Sequence, residues 1–248
     1  MKLVGIVGAS FVACTALLSF QGGAVASKAE SDQAAAKAAL GAGWVADMRS
    51  GNFNSAVTKL NRILSSKSLS GEKKAVAYIN RGLANQRLEL YRKAISDYSA
   101  ALSIDALANK TRAVTIYNRG IAYQKMKRQA MAIEDFTNAL YLDVEFAHAY
   151  YGRGRMMHEL GRYEFALADF KKAMKYRHPA AHLPFYGQAL AYEATQQNAK
   201  ARKALSRALL LKPDFKPALD RYQKISGVAF NASKLVLPAK SVAPSPNK

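Results

Sequence analysis

The stretch from Tyr78 to Pro213 repeats itself every 34 to 38 residues, and this period constrains the fold more than any other feature of the chain. Each unit has a small residue, an alanine twelve later, a large apolar residue four beyond it, and a further small residue three later. The four sets are Gly82, Ala94, Tyr98, Ala101; Gly120, Ala132, Phe136, Ala139; Gly154, Ala166, Phe170, Ala173; and Ala189, Ala201, Leu205, Ala208. A period of this length predicts a helical solenoid, whose function lies on a surface rather than in a catalytic pocket.

These landmarks resemble the tetratricopeptide repeat, a pair of antiparallel helices. The resemblance implies an all-α fold, a right-handed superhelical solenoid of helix pairs, in which small residues let two helices approach while large ones fill the gap between them. The expected repeats cover about 75–108, 113–146, 147–180 and 182–215. A degenerate repeat at about 37–70 has its turn at Gly51, Asn52 and Phe53.

Some positions depart from the pattern. Only the last repeat has the closing proline, Pro213, whose place is taken elsewhere by Ala106, Val144 and His178. The step from one repeat to the next is longest between Gly82 and Gly120, which predicts an extended turn near residues 107–111.

The two ends of the solenoid should differ from its middle. A capping helix at about 216–226 is expected, because a last repeat would otherwise expose an apolar face; Pro217 suits its first turn and Gly227 its end. The tail 227–248 contains Pro238, Pro244 and Pro246 among small and polar residues, a composition typical of disorder.

Residues 1–26 have the character of a cleavable signal peptide. Lys2 precedes an uncharged apolar run to Phe20, and Ala24-Val25-Ala26 offers the small-x-small site after which a signal peptidase cuts. We therefore expect an exported protein, periplasmic in a Gram-negative cell, that begins at Ser27. Retention of the run as a membrane anchor and lipid attachment at Cys14 are the alternatives, although Cys14 lacks the preceding leucine typical of lipoprotein signals.

Composition narrows the chemistry of the remaining chain. Cys14 is the only cysteine, so removal of the leader excludes disulfides, thiolate metal sites and cysteine catalysis. Of the 37 Lys and Arg residues only Lys2 is lost with the leader, which leaves 36 basic and 17 acidic residues and a net charge of +19. This excess favours an anionic partner, such as an acidic protein segment or an envelope polymer, unless it serves solubility alone. Export and the lack of a recognition motif argue against nucleic acid, and no second apolar run predicts a transmembrane segment.

The resemblance also implies where a partner would lie. A stripe beside the core face of each first helix lines the concave groove of such domains and receives an extended peptide or a helix. The stripe contains Val76, Ile79, Leu83, Gln86; Val114, Tyr117, Ile121, Gln124; His148, Tyr151, Arg155, His158; and Leu183, Tyr186, Leu190, Glu193. Its floor would be Ile79, Tyr117, Tyr151 and Tyr186. Tyrosine gives large, stiff contact area there, although it also serves packing.

Polar residues near this floor are further candidates for contact with a partner. Arg87, Lys125 and Arg155 would make the groove mainly basic. Asn80 and Asn118 could pair with the backbone of a bound peptide, as an asparagine ladder does in related repeat domains, or simply face solvent. Glycine occupies the equivalent position in the next two repeats, so asparagine contacts with a peptide backbone would be limited to the first half of the chain.

Three arginines of the repeats have a structural interpretation instead. Arg81, Arg119 and Arg153 are each followed sixteen residues later by an aspartate, and in the last unit both members are absent together. The joint loss predicts ion pairs between helices, of modest energy at a partly exposed site.

The sequence offers little for catalysis or metal binding. His178 and His182 are four residues apart, but Pro179 and Pro184 argue against one helix that presents both. His148 and His158 lie on the stripe and could make binding depend on pH. No acidic pair, serine-histidine set or phosphate loop recurs at the required spacing, so we expect a binding module without cofactor rather than an enzyme. An electrostatic binder of anionic wall or membrane polymer is the alternative, and an enzyme or an accessory to an enzyme is the third hypothesis.

Overall fold

The computed structural model describes residues 43–66 and 68–231, and every regular element in those two ranges is helical. The predicted leader 1–26, its cleavage site and almost all of the predicted tail lie outside the described residues. The helices are α1 (43–50), α2 (Phe53–Leu64), α3 (Gly71–Arg87), α4 (Tyr91–Leu102), α5 (Asn109–Lys125), α6 (Gln129–Leu142), α7 (Ala147–Glu159), α8 (Tyr163–Lys175), α9 (His182–Ala194), α10 (Asn198–Leu211) and α11 (Lys216–Ser226). The predicted all-α fold is confirmed.

The helices form two compact units. The first unit ends at Ala149 and the second begins at Tyr150, so that α7 starts in the first and continues in the second. In the first unit, α2 packs on α3, α3 on α4, α4 on α5 and α5 on α6. In the second unit, α8 packs on α9, α9 on α10 and α10 on α11. Packing between consecutive helices is the pattern of a helical repeat.

Short turns separate the two helices of each repeat and recur at one position. Glu89, Lys127 and Gln196 adopt φ values of 61°, 59° and 58°, and Gly161 has a φ of 72° at the equivalent place. A residue in the left-handed conformation ends a helix, because it turns the amides that follow back toward carbonyls of the last turn, which have no partner within the helix. The Leu90 amide, for example, donates to the Asn85 carbonyl at 2.8 Å.

Three helix pairs, α3/α4, α5/α6 and α7/α8, each close on one aromatic residue facing one glycine. The rings of Tyr98, Phe136 and Phe170 are almost fully buried. A Cβ atom at Gly120 would lie 2.9 Å from Phe136 Cε1, and one at Gly82 would lie 2.8 Å from Tyr98 Cε1. Only glycine permits this approach, because a real Cβ would overlap the ring.

The long spacing between Gly82 and Gly120 has a different structural basis from the one predicted. The extended turn was expected at residues 107–111, but the connection runs from Ser103 to Ala108, and residues 109–111 form the first turn of α5. The prediction was therefore wrong in its second half. Helix α5 has 17 residues against 13 for α7, so part of the additional length extends the helix itself.

Helix α11 covers the last repeat. Its Leu219 and Tyr222 pack with Phe215 against the buried Leu205 and Leu209 of α10. Pro217 lies in the first turn of the helix, and Gly227 at a φ of 73° forms its C-cap. No helix among the described residues is long and apolar enough to cross a bilayer.

Candidate binding groove

The second unit contains a cavity of about 310 Å³ formed mainly by α7 and α9, which we call the second-unit groove. Its lining consists of Tyr151, Arg155, His158, Glu159, Phe170, Leu183, Tyr186, Gly187, Leu190 and Phe215. Six of these residues belong to the stripe predicted from the sequence: Tyr151, Arg155, His158, Leu183, Tyr186 and Leu190. The helical period thus places these side chains around one space, and their contact with a partner stays a prediction.

Aromatic rings form much of the lining. The Tyr151 ring lies 6.0 Å from the Phe170 ring and 5.0 Å from the His178 ring, between centroids. Burial raises the pKa of the Tyr151 phenol, so that the side chain stays neutral near physiological pH. The Tyr186 ring meets Phe215 edge to face at 5.1 Å. These contacts hold the rings in fixed orientations, a property of a preformed binding surface.

Gly187 gives the groove its shape. A Cβ atom at Gly187 would lie only 2.5 Å from Phe170 Cζ, and one at Gly154 would lie 3.0 Å from Phe170 Cε1. The Phe170 ring of α8 is therefore wedged between the backbones of α7 and α9. Position 187 corresponds to Asn80 and Asn118 in the earlier repeats, so the missing asparagine rung leaves room for a ring that reaches the groove.

The charged side chains at the edge of the groove are paired. The Arg155 guanidinium lies 3.9 Å from the Glu159 carboxylate and 6.0 Å from the Tyr151 ring centroid, and it is about half exposed. Arg221 of α11 forms an ion pair with Glu193, and its Nε donates to Tyr186 Oη at 3.2 Å. Burial acts to lower the pKa of Arg221, but hydrogen bonds to Tyr186 and Glu193 together outweigh it and raise that pKa. The predicted basic groove is thus charge-balanced at this edge.

Histidine rings also pack against aromatic residues of the second unit. His158 lies edge-on to Tyr163 at 5.4 Å, and His182 meets Phe215 at 5.0 Å. Burial, and then the charge of Lys212, lower the pKa of His182. His178 follows α8 and His182 begins α9, so one helix does not present both. In the described ranges no three His, Cys, Asp or Glu side chains gather as a metal site.

The first unit holds the other predicted groove residues. Ile79 and Asn118 are half-buried on α3 and α5. Asn80 Nδ2 donates to the Val76 carbonyl of its own helix at 2.8 Å, so the amide is engaged locally rather than directed only outward. The Tyr117 ring packs against Phe136 at 5.5 Å.

The remaining contacts in that unit concern Tyr117 and two basic residues. Tyr117 also meets Phe146 at 5.0 Å and His148 at 6.1 Å, so it serves packing as well as any binding role. Arg87 and Lys125 are exposed in the last turns of α3 and α5.

The predicted interhelical ion pairs are confirmed. Arg119 Nε and a terminal nitrogen donate to the two Asp135 oxygens at 2.9 and 2.8 Å, and Arg153 holds Asp169 with the same distances. Arg81 also binds both oxygens of Asp97: its Nε donates to each of them at 3.1 Å, and a terminal nitrogen donates to Oδ1. Hydrogen bonds to the aspartates raise the pKa of Arg119 and Arg153.

These arginines also join neighbouring repeats. Arg81 donates to Asn61 Oδ1 of α2 at 2.8 Å, and Arg119 donates to Ser99 Oγ of α4 at 3.0 Å. The aspartates are buried, which the sequence pattern did not reveal, so removal of an arginine would leave a buried carboxylate without its partner, and this costs more than breaking an exposed pair.

Comparisons with known proteins agree with this architecture. The family model of the tetratricopeptide repeat matches residues 75–106, 113–143 and 185–215. A comparison with curated protein sequences gives no match. Among solved structures, a tetratricopeptide repeat protein from Parabacteroides merdae aligns with a TM-score of 0.65 at 18% identity, over 76% of this chain and 71% of that one.

Two further solved structures show the same fold. YrrB, a tetratricopeptide repeat protein with an unusual peptide-binding site, aligns with a TM-score of 0.59 at 20% identity, over 73% of this chain and 88% of its own. MamA aligns with a TM-score of 0.56 at 21% identity, over 73% of this chain and 95% of its own. Three helix pairs of this chain thus match the tetratricopeptide repeat model, and the solved structures share its fold.

Proposed function

We propose that this protein is a non-enzymatic interaction module of the cell envelope that holds a segment of a partner protein in the second-unit groove. Tetratricopeptide repeat proteins are typically scaffolds for protein association rather than enzymes. The observation that carries the proposal is the cavity whose lining joins Tyr151 and Tyr186 with the apolar Leu183 and Leu190. Concave, largely apolar surfaces with a few polar groups at the edge are where proteins bind ligands.

Export of the protein is part of the proposal. It rests on the leader-like composition of residues 1–26. Cell fractionation with N-terminal sequencing of the purified protein tests it. A periplasmic protein that begins at Ser27 supports export, and a cytoplasmic protein that retains Met1 contradicts it.

Partner capture tests the groove. The purified protein and a Tyr151→Ala/Tyr186→Ala variant are used as bait in an envelope extract, at low and at moderate salt. The matched control is Tyr141→Ala, because the Tyr141 side chain is 90% exposed on the first unit. We expect a discrete protein on the parent and on the control but not on the groove variant. Equal capture by all three proteins contradicts the proposal.

A second candidate function is electrostatic binding of an anionic envelope polymer. Within residues 150–231 there are fifteen Lys and Arg residues against six Asp and Glu. Helix α10 alone carries four exposed basic side chains and no acidic one: Lys200, Arg202, Lys203 and Arg207. Binding of this kind weakens steeply with salt and does not require the tyrosines. Material that elutes equally from every variant at moderate salt would favour this function.

A further inference from the structure

The size of the second-unit groove limits what it can hold. This inference rests on the proposed function and names the chemistry of the partner: we propose that an acidic segment inserts one aromatic side chain into the groove. The cavity of about 310 Å³ is at the lower end of the range for ligand pockets. A whole helix, roughly 10 Å across, does not fit such a space, whereas one large side chain does.

The lining selects an aromatic side chain. Four rings face the cavity, those of Tyr151, Phe170, Tyr186 and Phe215, and Leu183 and Leu190 complete its apolar wall. Tyr186 and Phe215 already stand edge to face, and Tyr151 is tilted 46° to Phe170. Rings in these orientations present both edges and faces, so an inserted ring can adopt the offset or T-shaped contacts that aromatic pairs prefer.

Charge selects the residues on either side of the inserted ring. Arg155 and Arg221 at the edge of the groove already form ion pairs with acidic residues of the same unit, so the cavity itself favours a neutral side chain. Residues 150–231 as a whole carry fifteen Lys and Arg residues against six Asp and Glu. An acidic segment is drawn toward such a surface and a basic one is repelled.

Gly187 keeps the groove open for the aromatic side chain of the partner. The Phe170 ring cannot move away from position 187 without meeting the backbone at Gly154. Gly187→Ala therefore forces the Phe170 ring toward the cavity and closes it. Gly71→Ala is the matched control, because a Cβ atom there would contact Ile104 Cγ2 at an ordinary 3.4 Å.

Fluorescence anisotropy with a labelled peptide tests the inference on the purified protein. The probe is Ser-Asp-Glu-Trp-Glu-Asp-Ser, compared with versions in which Leu or Ala replaces Trp and with a version that has Lys in place of all four acidic residues. We expect the Ala peptide to bind about 30-fold more weakly, as for a buried anchor residue. The Leu peptide should lose about fivefold, since it lacks the contacts between rings. Gly187→Ala should remove the preference for Trp while Gly71→Ala keeps it.

Several outcomes contradict the inference. Equal binding of the Trp and Ala peptides, binding of none, or equal binding of the Lys-flanked peptide would each overturn it. Leu183→Trp is a second variant that fills the groove from the first turn of α9, and circular dichroism reports whether each variant folds. A folded variant that binds the Trp peptide as the parent does also contradicts the inference. Partner capture that depends on Tyr151 and Tyr186 would still support the proposed function in these cases.

Discussion

Removal of the Arg119 side chain should destabilise the first unit strongly. Asp135 is 3% exposed and receives two hydrogen bonds from Arg119, which also reaches Ser99 of the preceding repeat. Loss of one partner of a fully buried ion pair costs about 3–5 kcal/mol, because the other charge remains buried. The Arg119 side chain is 23% exposed, so water reaches part of the site. We therefore expect Arg119→Ala to lower the free energy of unfolding by about 2–4 kcal/mol.

Urea denaturation followed by far-ultraviolet circular dichroism measures this effect. Asp105→Ala is the control, since Asp105 pairs with Arg112 while fully exposed, and it should leave the midpoint unchanged. Because repeats can unfold separately, the whole transition is compared rather than the midpoint alone. An Arg119→Ala protein as stable as the Asp105→Ala protein would refute the argument that the buried aspartate depends on its arginine.

Three further predictions concern packing, hydrogen bonding and pH, each measured by the same denaturation experiment. Gly120→Ala should lower the free energy of unfolding by about 1–2 kcal/mol, because the new methyl group would lie 2.9 Å from Phe136 and this overlap exceeds the gain in helix propensity. An unchanged or higher denaturation midpoint would contradict this prediction. Tyr98→Phe removes a hydroxyl that donates a hydrogen bond to Gln86 Oε1 at 2.9 Å, so it should lower the free energy of unfolding by about 1 kcal/mol. Tyr141→Phe, at an exposed position, should leave stability unchanged. Equal effects of the two substitutions would contradict this prediction. Burial lowers the pKa of His148 in the folded protein, so the unfolded chain binds the proton first and stability falls as the pH drops through the ordinary histidine value of about 6.5. His148→Gln should reduce that fall, and an identical pH dependence in the variant would exclude His148 as its source.

The sequence predicted the parts of the structure that follow from periodic side chains. Small and large apolar residues at fixed offsets placed Gly120 against Phe136, and the shared absence of Arg and Asp in the last repeat identified the ion pairs. The same helical spacing placed Tyr151 and Tyr186 in the predicted stripe. These features depend on the residue's position in a helix, which a one-dimensional pattern records.

Other features depend on contacts between elements that the pattern does not record. Phe215 precedes α11 and lies outside the stripe, yet it lines the groove because α11 packs against α10. Gly187 was recognised only as a missing asparagine, although the missing side chain is what admits the Phe170 ring. The burial of Asp135 follows from packing around it, so the sequence did not show that loss of Arg119 would leave a buried carboxylate without its partner.

The ion pairs at the edge of the groove were also not predicted from the sequence. Arg155 was assigned to a basic surface, but Glu159 follows it by one helical turn and forms the pair seen in the structure. That spacing was a signal available in the sequence. The pair between Arg221 and Glu193 joins α11 to α9, and no short-range pattern predicts it.

Site-specific photocrosslinking in cells tests most directly whether the second-unit groove is the binding site. A photoreactive amino acid is placed at Arg155, on the edge of the groove, or at Phe165, which is 65% exposed and does not line it. We predict a discrete crosslinked partner from position 155 that disappears when Tyr186→Ala is added, and none from position 165. Equal crosslinking from both positions, or crosslinking at position 155 that survives Tyr186→Ala, would contradict the account.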